Sequence, residues 1–220
     1  QDARSGQSLT LERIEAHTGA LTVGEPITLE ARARVEGREP ALAGEIEAAG
    51  TLRYDVDTER YTLAPFTAKA TLEGAHLPGG SAALTLAAAL DLDRKAGTAT
   101  LRDLAFEGLG ATVKGEFAAR DIEQQKPGAK ARLELRGEDL ARLFTAFGVA
   151  AGKQLARAAD RRFDLDFAFD ADGRQGTLQV DAFKGRLLGA SVDGKLSAAA
   201  LDTDTPRATG TLDAAGPDFP

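Results

Sequence analysis

Apolar and polar residues change places at every position through most of this chain. The clearest run is FDLDFAFD over residues 163–170, and ITLEARARV over residues 27–35 follows the same rule. Successive side chains of a strand project from opposite faces, so this alternation is typical of antiparallel strands with one apolar and one solvated face. The pattern predicts about 15 short strands.

Clusters rich in Asp and Gly separate these runs. They lie at residues 56–59, 91–97 and 170–176. Asp side chains accept hydrogen bonds from nearby backbone N–H groups and Gly tolerates positive φ, so the clusters predict hairpin turns. The pairs Asp91/Asp93 and Asp170/Asp172 lack the ligand spacing and the distal Glu of a calcium-binding EF-hand loop. We therefore interpret these aspartates as turn formers.

One segment departs from the alternation. Residues 139–148, DLARLFTAFG, carry apolar side chains at the i, i+3, i+4, i+7 spacing of an amphipathic helix. Asp139 can cap the start of this helix and Gly148 can close its end. A second short turn of helix is expected within residues 149–159. The helix would cap one face of the sheet through Leu140, Leu143, Phe144 and Phe147.

The chain matches itself at a displacement of 79 residues, where residues 83–141 fall on 162–220 without a gap. The matches lie on strand cores and turn glycines, as a stacked structural repeat requires. We therefore expect one continuous structure over residues 1–220. It would consist of a weaker copy at about 48–82, a unit at 83–161 and a truncated unit at 162–220. Because the chain has no Met and begins with Gln1, we expect it to be a piece of a longer protein.

Composition argues against several function classes. With no Cys and only two His, the chain lacks material for thiolate catalysis, for cysteine-based metal sites and for the usual histidine clusters. We predict no catalytic residues, no metal site and no cofactor, so the protein is not expected to be an enzyme. A net charge of −7 gives no basic footprint for nucleic acid. No stretch approaches the roughly 18 apolar residues of a membrane-spanning helix.

What covers the apolar strand faces decides the function. Two sheets could bury these faces against each other as a β-sandwich with no ligand, which suits a structural or protein-interaction module. Alternatively, a single sheet bends into a groove whose apolar lining holds lipid chains. The candidate lining residues are Leu84, Leu86, Leu90, Leu92, Val113, Phe117, Leu133, Leu135, Phe163, Leu165, Phe167, Phe169, Val192 and Leu196.

Several segments resemble the AsmA family of Gram-negative envelope proteins, which is related to TamB. They are GTLRYDV at 50–56, LRDLAFEGLG at 101–110 and, above all, DLARLFTAFG at 139–148. The segment KGRLLGASVDG at 184–194 resembles the glycine-bearing strand pair of that family. It departs from the family pattern at Leu188 and Ala190, where an aromatic residue and a second glycine are expected. The resemblance covers nearly the whole chain.

This resemblance implies a mainly β fold, in which a long, strongly curved antiparallel sheet forms an open groove with one or two short helices near 139–159. It also implies a periplasmic location in a protein anchored in the inner membrane. The implied partner is phospholipid or another membrane lipid, carried between the inner and outer membranes in support of outer membrane biogenesis. Acyl chains would slide passively along the trough, with no covalent chemistry, and the resemblance does not identify protein partners.

Overall fold

The computed structural model describes residues 9–20, 22, 24–38, 41–146, 152, 155, 158–201 and 205–216. Within these ranges, twelve strands form one antiparallel sheet in which each strand pairs with its neighbours in sequence, from β1 to β12. The strands are β1 Leu9–Thr18, β2 Ile27–Arg38, β3 Ala41–Asp55, β4 Arg60–Glu73, β5 Ser81–Asp93, β6 Thr98–Gly108, β7 Ala111–Arg120, β8 Gly128–Gly137, β9 Phe163–Asp172, β10 Thr177–Leu187, β11 Ala190–Ala199 and β12 Arg207–Ala215. A 3-10 turn at Pro78–Gly80 precedes β5, and the helix α1 spans Leu140–Ala146.

The predicted mainly β fold with an open sheet is confirmed. In the strand order of the described residues, β1 and β12 are the two edges and do not pair with each other. The β-sandwich alternative is wrong, because all the described strands belong to one sheet rather than to two facing sheets. Within the described residues there are twelve strands of 9 to 15 residues, fewer and longer than the predicted count of about 15 short strands.

Bulges bend the strands at corresponding places in the two repeat units. The register shifts inside β6 between Leu101 and Leu104, and inside β10 between Val180 and Phe183. These two breaks lie 79 residues apart, the displacement at which the sequence matches itself. A bulge inserts an extra residue into one strand, bends it and increases its twist. Each unit therefore bends its sheet at the same point.

The repeat also appears in strand bounds and turns. The strands β6 and β10 begin and end at corresponding residues of the two units, as do β7 and β11. The turns that follow β6 and β10 are Leu109-Gly110 and Leu188-Gly189, and both residues of each turn have positive φ. Two positive φ angles define the type I′ turn, whose twist matches that of the flanking strands. The fold is therefore a β-repeat within one open sheet.

The predicted helix is present and begins where expected. The Asp139 carboxylate accepts a hydrogen bond from the Arg142 N–H at 3.0 Å, and the Asp139 carbonyl accepts one from the Leu143 N–H at 3.2 Å. This is an N-cap, which satisfies N–H groups that have no partner within the helix. The predicted end at Gly148 lies outside the described residues, as does most of the predicted second turn. No helix in the described ranges has the length and apolarity to cross a membrane.

Candidate functional site

The register of the sheet places the predicted lining residues on one face. Directly opposed residues of antiparallel neighbours project from the same side of a sheet. Leu135 lies opposite Val113 on one side and Leu165 on the other. Following such pairs from strand to strand reaches every predicted lining residue without a change of face. From β5 to β11, one such row contains Leu86, Phe106, Val113, Leu135, Leu165, Gly185 and Val192.

The opposite face is charged. Its side chains form ion pairs between neighbouring strands, such as Arg32–Glu47 at 3.2 Å and Arg136–Asp164 at 3.0 Å. These side chains are more than half exposed, so each pair contributes little stability. Their effect is to keep one whole face of the sheet in contact with water.

Burial differs between the two faces of the sheet. On the apolar face Phe163 is 5 % exposed and Val35 is 2 % exposed, whereas the charged residues beside them in sequence are exposed. No second layer of described strands lies over the apolar face. Neighbouring side chains on one face of a curved sheet approach one another, which is consistent with this burial. We call this apolar face the trough.

The trough is open to solvent. Among the described residues no large side chain is fully buried, and Leu90, Phe117 and Leu196 on the apolar face are 37–39 % exposed. The accessible surface is 14,752 Å², whereas a compact protein of the same mass exposes about 9,600 Å². Soluble monomers rarely leave apolar patches beyond about 300–600 Å² without a ligand or partner. The apolar face is therefore the candidate binding surface of the described residues.

An aromatic cluster lies in the trough where β9 meets β10. The ring centroid of Phe167 is 5.7 Å from that of Phe169 and 6.4 Å from that of Phe183, with the second pair edge to face. Phe163 lies further along β9, where a Cβ atom added to Gly137 of β8 would overlap its ring. These rings concentrate aromatic surface on the apolar face along β9 and β10.

Several residues of the apolar face were missed by the sequence analysis. Leu101, Leu104 and Phe106 illustrate the reason, because a strict alternation puts Leu101 on one side of β6 and the other two on the opposite side. The bulge between Leu101 and Leu104 returns all three to the same face. The available signal was the repeat, since Val180 and Phe183 show the same break 79 residues later. The further residues on this face include Leu63, Phe66, Leu101, Leu104, Phe106, Val180 and Phe183.

The turns after β3, β5, β7, β9 and β11 form one long edge of the sheet, which we call the turn edge. Backbone hydrogen bonds link each of these turns to the next, and the donor and acceptor pairs are Arg94 N–H to Glu59 O, Ile122 N–H to Gly97 O, Gly173 N–H to Pro127 O and Leu201 N–H to Gly176 O. Ion pairs reinforce these links, including Arg174–Asp121 at 2.6 Å and Arg94–Glu123 at 3.3 Å. The trough is therefore bordered along this edge by a charged, hydrogen-bonded belt.

The aspartates of the turn edge have two structural roles. Asp93 accepts a hydrogen bond from the Ala96 N–H, and Asp172 accepts two from the Arg174 and Gln175 N–H groups, as turn formers do. The Gln175 N–H is the main cause that lowers the pKa of Asp172. Asp91 and its repeat counterpart Asp170 behave differently, and for them the prediction of turn formers is wrong.

Asp91 and Asp170 pair with arginines of the preceding hairpin. The Arg60 guanidinium binds the Asp91 carboxylate with two nitrogens, at 2.9 and 2.5 Å, and Arg120 binds Asp170 at 3.0 Å. These hydrogen bonds raise the pKa of both arginines. The carboxylates therefore join neighbouring hairpins, and among the described residues no group of three His, Cys, Asp or Glu could hold a metal ion.

The opposite long edge, which we call the helix edge, carries α1 after β8. A cavity of about 740 Å³ lies there, lined by Arg136, Arg186 and Asp160 among others. Its charges are largely matched, since Arg162 binds Asp160 through two nitrogens at 3.0 and 2.8 Å and lowers the pKa of Asp160 to about 2. The cavity is lined by Phe163 of the apolar face as well as by Asp164 and Arg186 of the charged face.

The helix residues predicted to cap the groove are only partly described. Leu140 and Leu143 are half-buried, and Phe144 is 38 % exposed. Phe147 lies outside the described residues. Ala141 is buried on the same short helix. Capping of the sheet by α1 stays a prediction.

No protein-family model matches the chain, and comparisons with curated proteins and with solved structures find no match either. The resemblance to the AsmA family therefore stays a prediction. What the protein does has to be inferred from the trough itself.

Proposed function

We propose that the trough binds the acyl chains of phospholipid or another membrane lipid. In this proposal the chain is a segment of a periplasmic groove, in a protein anchored in the inner membrane, that carries lipid between the inner and outer membranes. The observation that supports it is the continuous apolar face of an open twelve-stranded sheet, which no second described layer covers. The resemblance to the AsmA family suggests the same function and location.

The dimensions of the trough suit lipid chains. Strands of 10 to 13 residues, such as β9 and β5, span about 33–43 Å at roughly 3.3 Å per residue. The twelve strands of the sheet, at roughly 4.8 Å spacing, extend about 50 Å in the other direction. The hydrocarbon of one bilayer leaflet is about 15 Å deep. Several acyl chains therefore fit side by side along the apolar face.

The chemistry of the lining favours binding without strong selectivity. Each methylene group removed from water contributes about 0.8 kcal/mol, whichever lipid carries it. The apolar face offers Leu, Phe, Val and Ala, and these side chains make no directional bonds to an acyl chain. Moving a chain along such a surface exchanges one apolar contact for another of similar energy. Passive sliding therefore requires no covalent step, while head groups remain in water beside the charged edges.

Native mass spectrometry of the full chain, produced in the periplasm of a Gram-negative host and purified without detergent, tests this proposal. We expect the protein to carry phospholipid. Phe167→Asp should abolish lipid binding, because it places a carboxylate inside the aromatic cluster. Ala168→Asp is the matched control, since it adds the same charge to the next residue of β9 on the opposite face. That variant should retain its lipid.

Circular dichroism shows whether each variant is folded. Wild-type protein that is reproducibly free of lipid would contradict the proposal, as would equal lipid loss in the two folded variants. Either result would favour the alternative of a structural or protein-interaction repeat without a ligand.

A further inference from the structure

The strands β8 and β12 occupy the same position in the two repeat units but differ in their neighbours. In the described sheet β8 lies between β7 and β9, whereas β12 has β11 on one side and a free edge on the other. Leu133 of β8 lies between Gly115 and Phe167 and is half-buried. Its counterpart Leu212 is 66 % exposed. The same residue type at the same place is thus covered in one unit and uncovered in the other.

The first unit shows which chemistry covers this position. The strand β9 lies along β8 with Phe167 opposite Leu133 and with the Phe163 ring against Gly137. An aromatic ring beside a strand glycine covers backbone that the glycine leaves bare. The second unit has the counterparts of both receiving residues, Leu212 and Gly216. At Gly216, however, the atoms nearest to an added Cβ belong to Ala190 and not to a ring.

We infer that the free edge of β12 receives an antiparallel strand with the apolar pattern of β9. Such an occupant is extended and carries bulky apolar residues, Phe above all, at alternate positions facing Leu212 and Gly216. Its backbone would pair with the unpaired N–H and C=O groups along β12, as in recognition by strand addition. The trough would then continue past β12 without a break in its apolar lining.

The outward face of the occupant should differ from that of β9. On β8 the outward residues include Lys130, Arg132 and Arg136, of which Lys130 lies opposite Asp170 and Arg136 lies opposite Asp164 of β9. Their counterparts on β12 are Thr209, Thr211 and Ala215, while Asp213 corresponds to Glu134. At these positions a strand with an acidic outward face finds no cation, and the one cation on the outward face of β12 is Arg207 at the first residue of the strand. A Lys opposite Asp213 suits this edge better.

The other free edge of the sheet is less suited to strand addition. The strand β1 has a register shift between Glu12 and Glu15, and Arg13 there has positive φ. Bulges of this kind turn an edge away from further pairing. The strand β12 pairs with β11 through nine residues without a shift. An edge strand without a bulge is the better template for pairing with an added strand, so β12 suits strand addition better than β1 does.

Hydrogen exchange of the full chain with a synthetic peptide tests this inference. The first peptide is FDLDFAFDAD, the sequence of Phe163–Asp172, and the second is the same peptide with Asp166→Lys. A scrambled peptide of the same composition without alternation is the control. We expect both ordered peptides to protect amides of β12. The Lys peptide should bind up to about fivefold more tightly, as expected for a favourable cross-strand charge pair, and added salt should reduce this difference.

A pair of chain variants locates the site independently. Leu212→Lys should weaken peptide binding by up to about fivefold through loss of the contact with Phe. Leu201→Lys is the matched control, because Leu201 is 49 % exposed in the turn before β12 and outside the predicted contact.

Protection by the scrambled peptide, protection of β1 or of the trough instead of β12, or absence of any protection would overturn the inference. Self-association that protects β12 without peptide would identify a second copy as the occupant and overturn it as well. All measurements use lipid-free protein, so their failure leaves the proposed lipid function intact.

Discussion

The two faces of the sheet arise from the same strands, yet they carry different parts of the energetics. On β9, Phe163 is buried in the trough, which is the inner face of the sheet. Its neighbour Asp164 is exposed with Arg136 on the charged face, which is the outer face. Burying a large apolar side chain contributes about 1.5–3 kcal/mol, whereas an exposed ion pair contributes about 0–1 kcal/mol. A single-layer sheet can therefore be stabilised mainly by apolar packing on one face, while the charged residues of the other face remain in contact with water.

Phe163→Ala should produce the largest effect among changes to the two faces. Truncating a buried Phe lowers the free energy of unfolding by about 3–5 kcal/mol, and here it would also uncover Gly137. Urea-induced unfolding followed by circular dichroism measures the loss. Asp164→Ala, one residue away on the outer face, should cost about 0–1 kcal/mol. Equal losses in the two variants would mean that the faces do not differ as described.

Leu90→Ala sharpens the comparison within the inner face. Leu90 is 38 % exposed, so its truncation should lower the free energy of unfolding by only about 1 kcal/mol. Because its exposed surface is available to a ligand, the variant should also retain less lipid in native mass spectra. Leu201→Ala removes a leucine of similar exposure from a turn and should leave lipid binding unchanged. Reduced lipid binding in both variants would argue against Leu90 as part of the binding surface.

Arg60→Ala tests whether the ion pair between Arg60 and Asp91 stabilises the fold more than the exposed ion pairs of the outer face do. It leaves the Asp91 carboxylate, with a side chain only 11 % exposed, without its two-nitrogen partner. The thermal midpoint should fall by about 2–4 °C, which corresponds to a loss of about 1 kcal/mol in the free energy of unfolding for a chain of this size. Arg136→Ala is the control, because its partner Asp164 has a side chain that is 61 % exposed. A larger fall for Arg136→Ala would contradict the assignment.

The smallest expected effect is a pH dependence of the stability of the fold, which arises from Asp160. Arg162 lowers the pKa of this carboxyl from 3.8 to about 2 in the folded protein. The depressed pKa means that the ionised form stabilises the fold above pH 3.8 and that this contribution is lost as the pH falls towards 2. In an NMR titration the Asp160 midpoint should lie near 2 and rise towards 3.8 in Arg162→Gln. An unchanged midpoint in that variant would assign the shift to another group.

Local features of the fold followed from the sequence because their causes are local. Asp139 caps α1 as predicted, since an N-cap depends on one side chain and the next few backbone N–H groups. The alternation around Phe163 and Leu165 assigned both residues to one face, and the register agrees. Residues whose position depends only on their own strand were therefore predictable.

Features that depend on distant segments were not predictable in the same way. Alternation is identical in a sandwich and in a single open sheet, so it could not decide between them. The pairing of Arg60 with Asp91 depends on how two hairpins lie side by side, which no local pattern records. Asp103 has positive φ and lies at a bulge. This bulge interrupts the alternation of β6, from which the face of each residue was predicted.

The bulges also determine where the chain tolerates a change of length. Leu101 and Leu104 face the trough with two residues between them, so removing Asp103 would restore strict alternation and leave every later side chain of β6 on its present face. Removing one residue from the regular middle of β7 would instead move the side chains of half of that strand to the opposite face of the sheet. Insertions and deletions in such repeats should therefore accumulate at bulges and turns, while the strands between them keep their length.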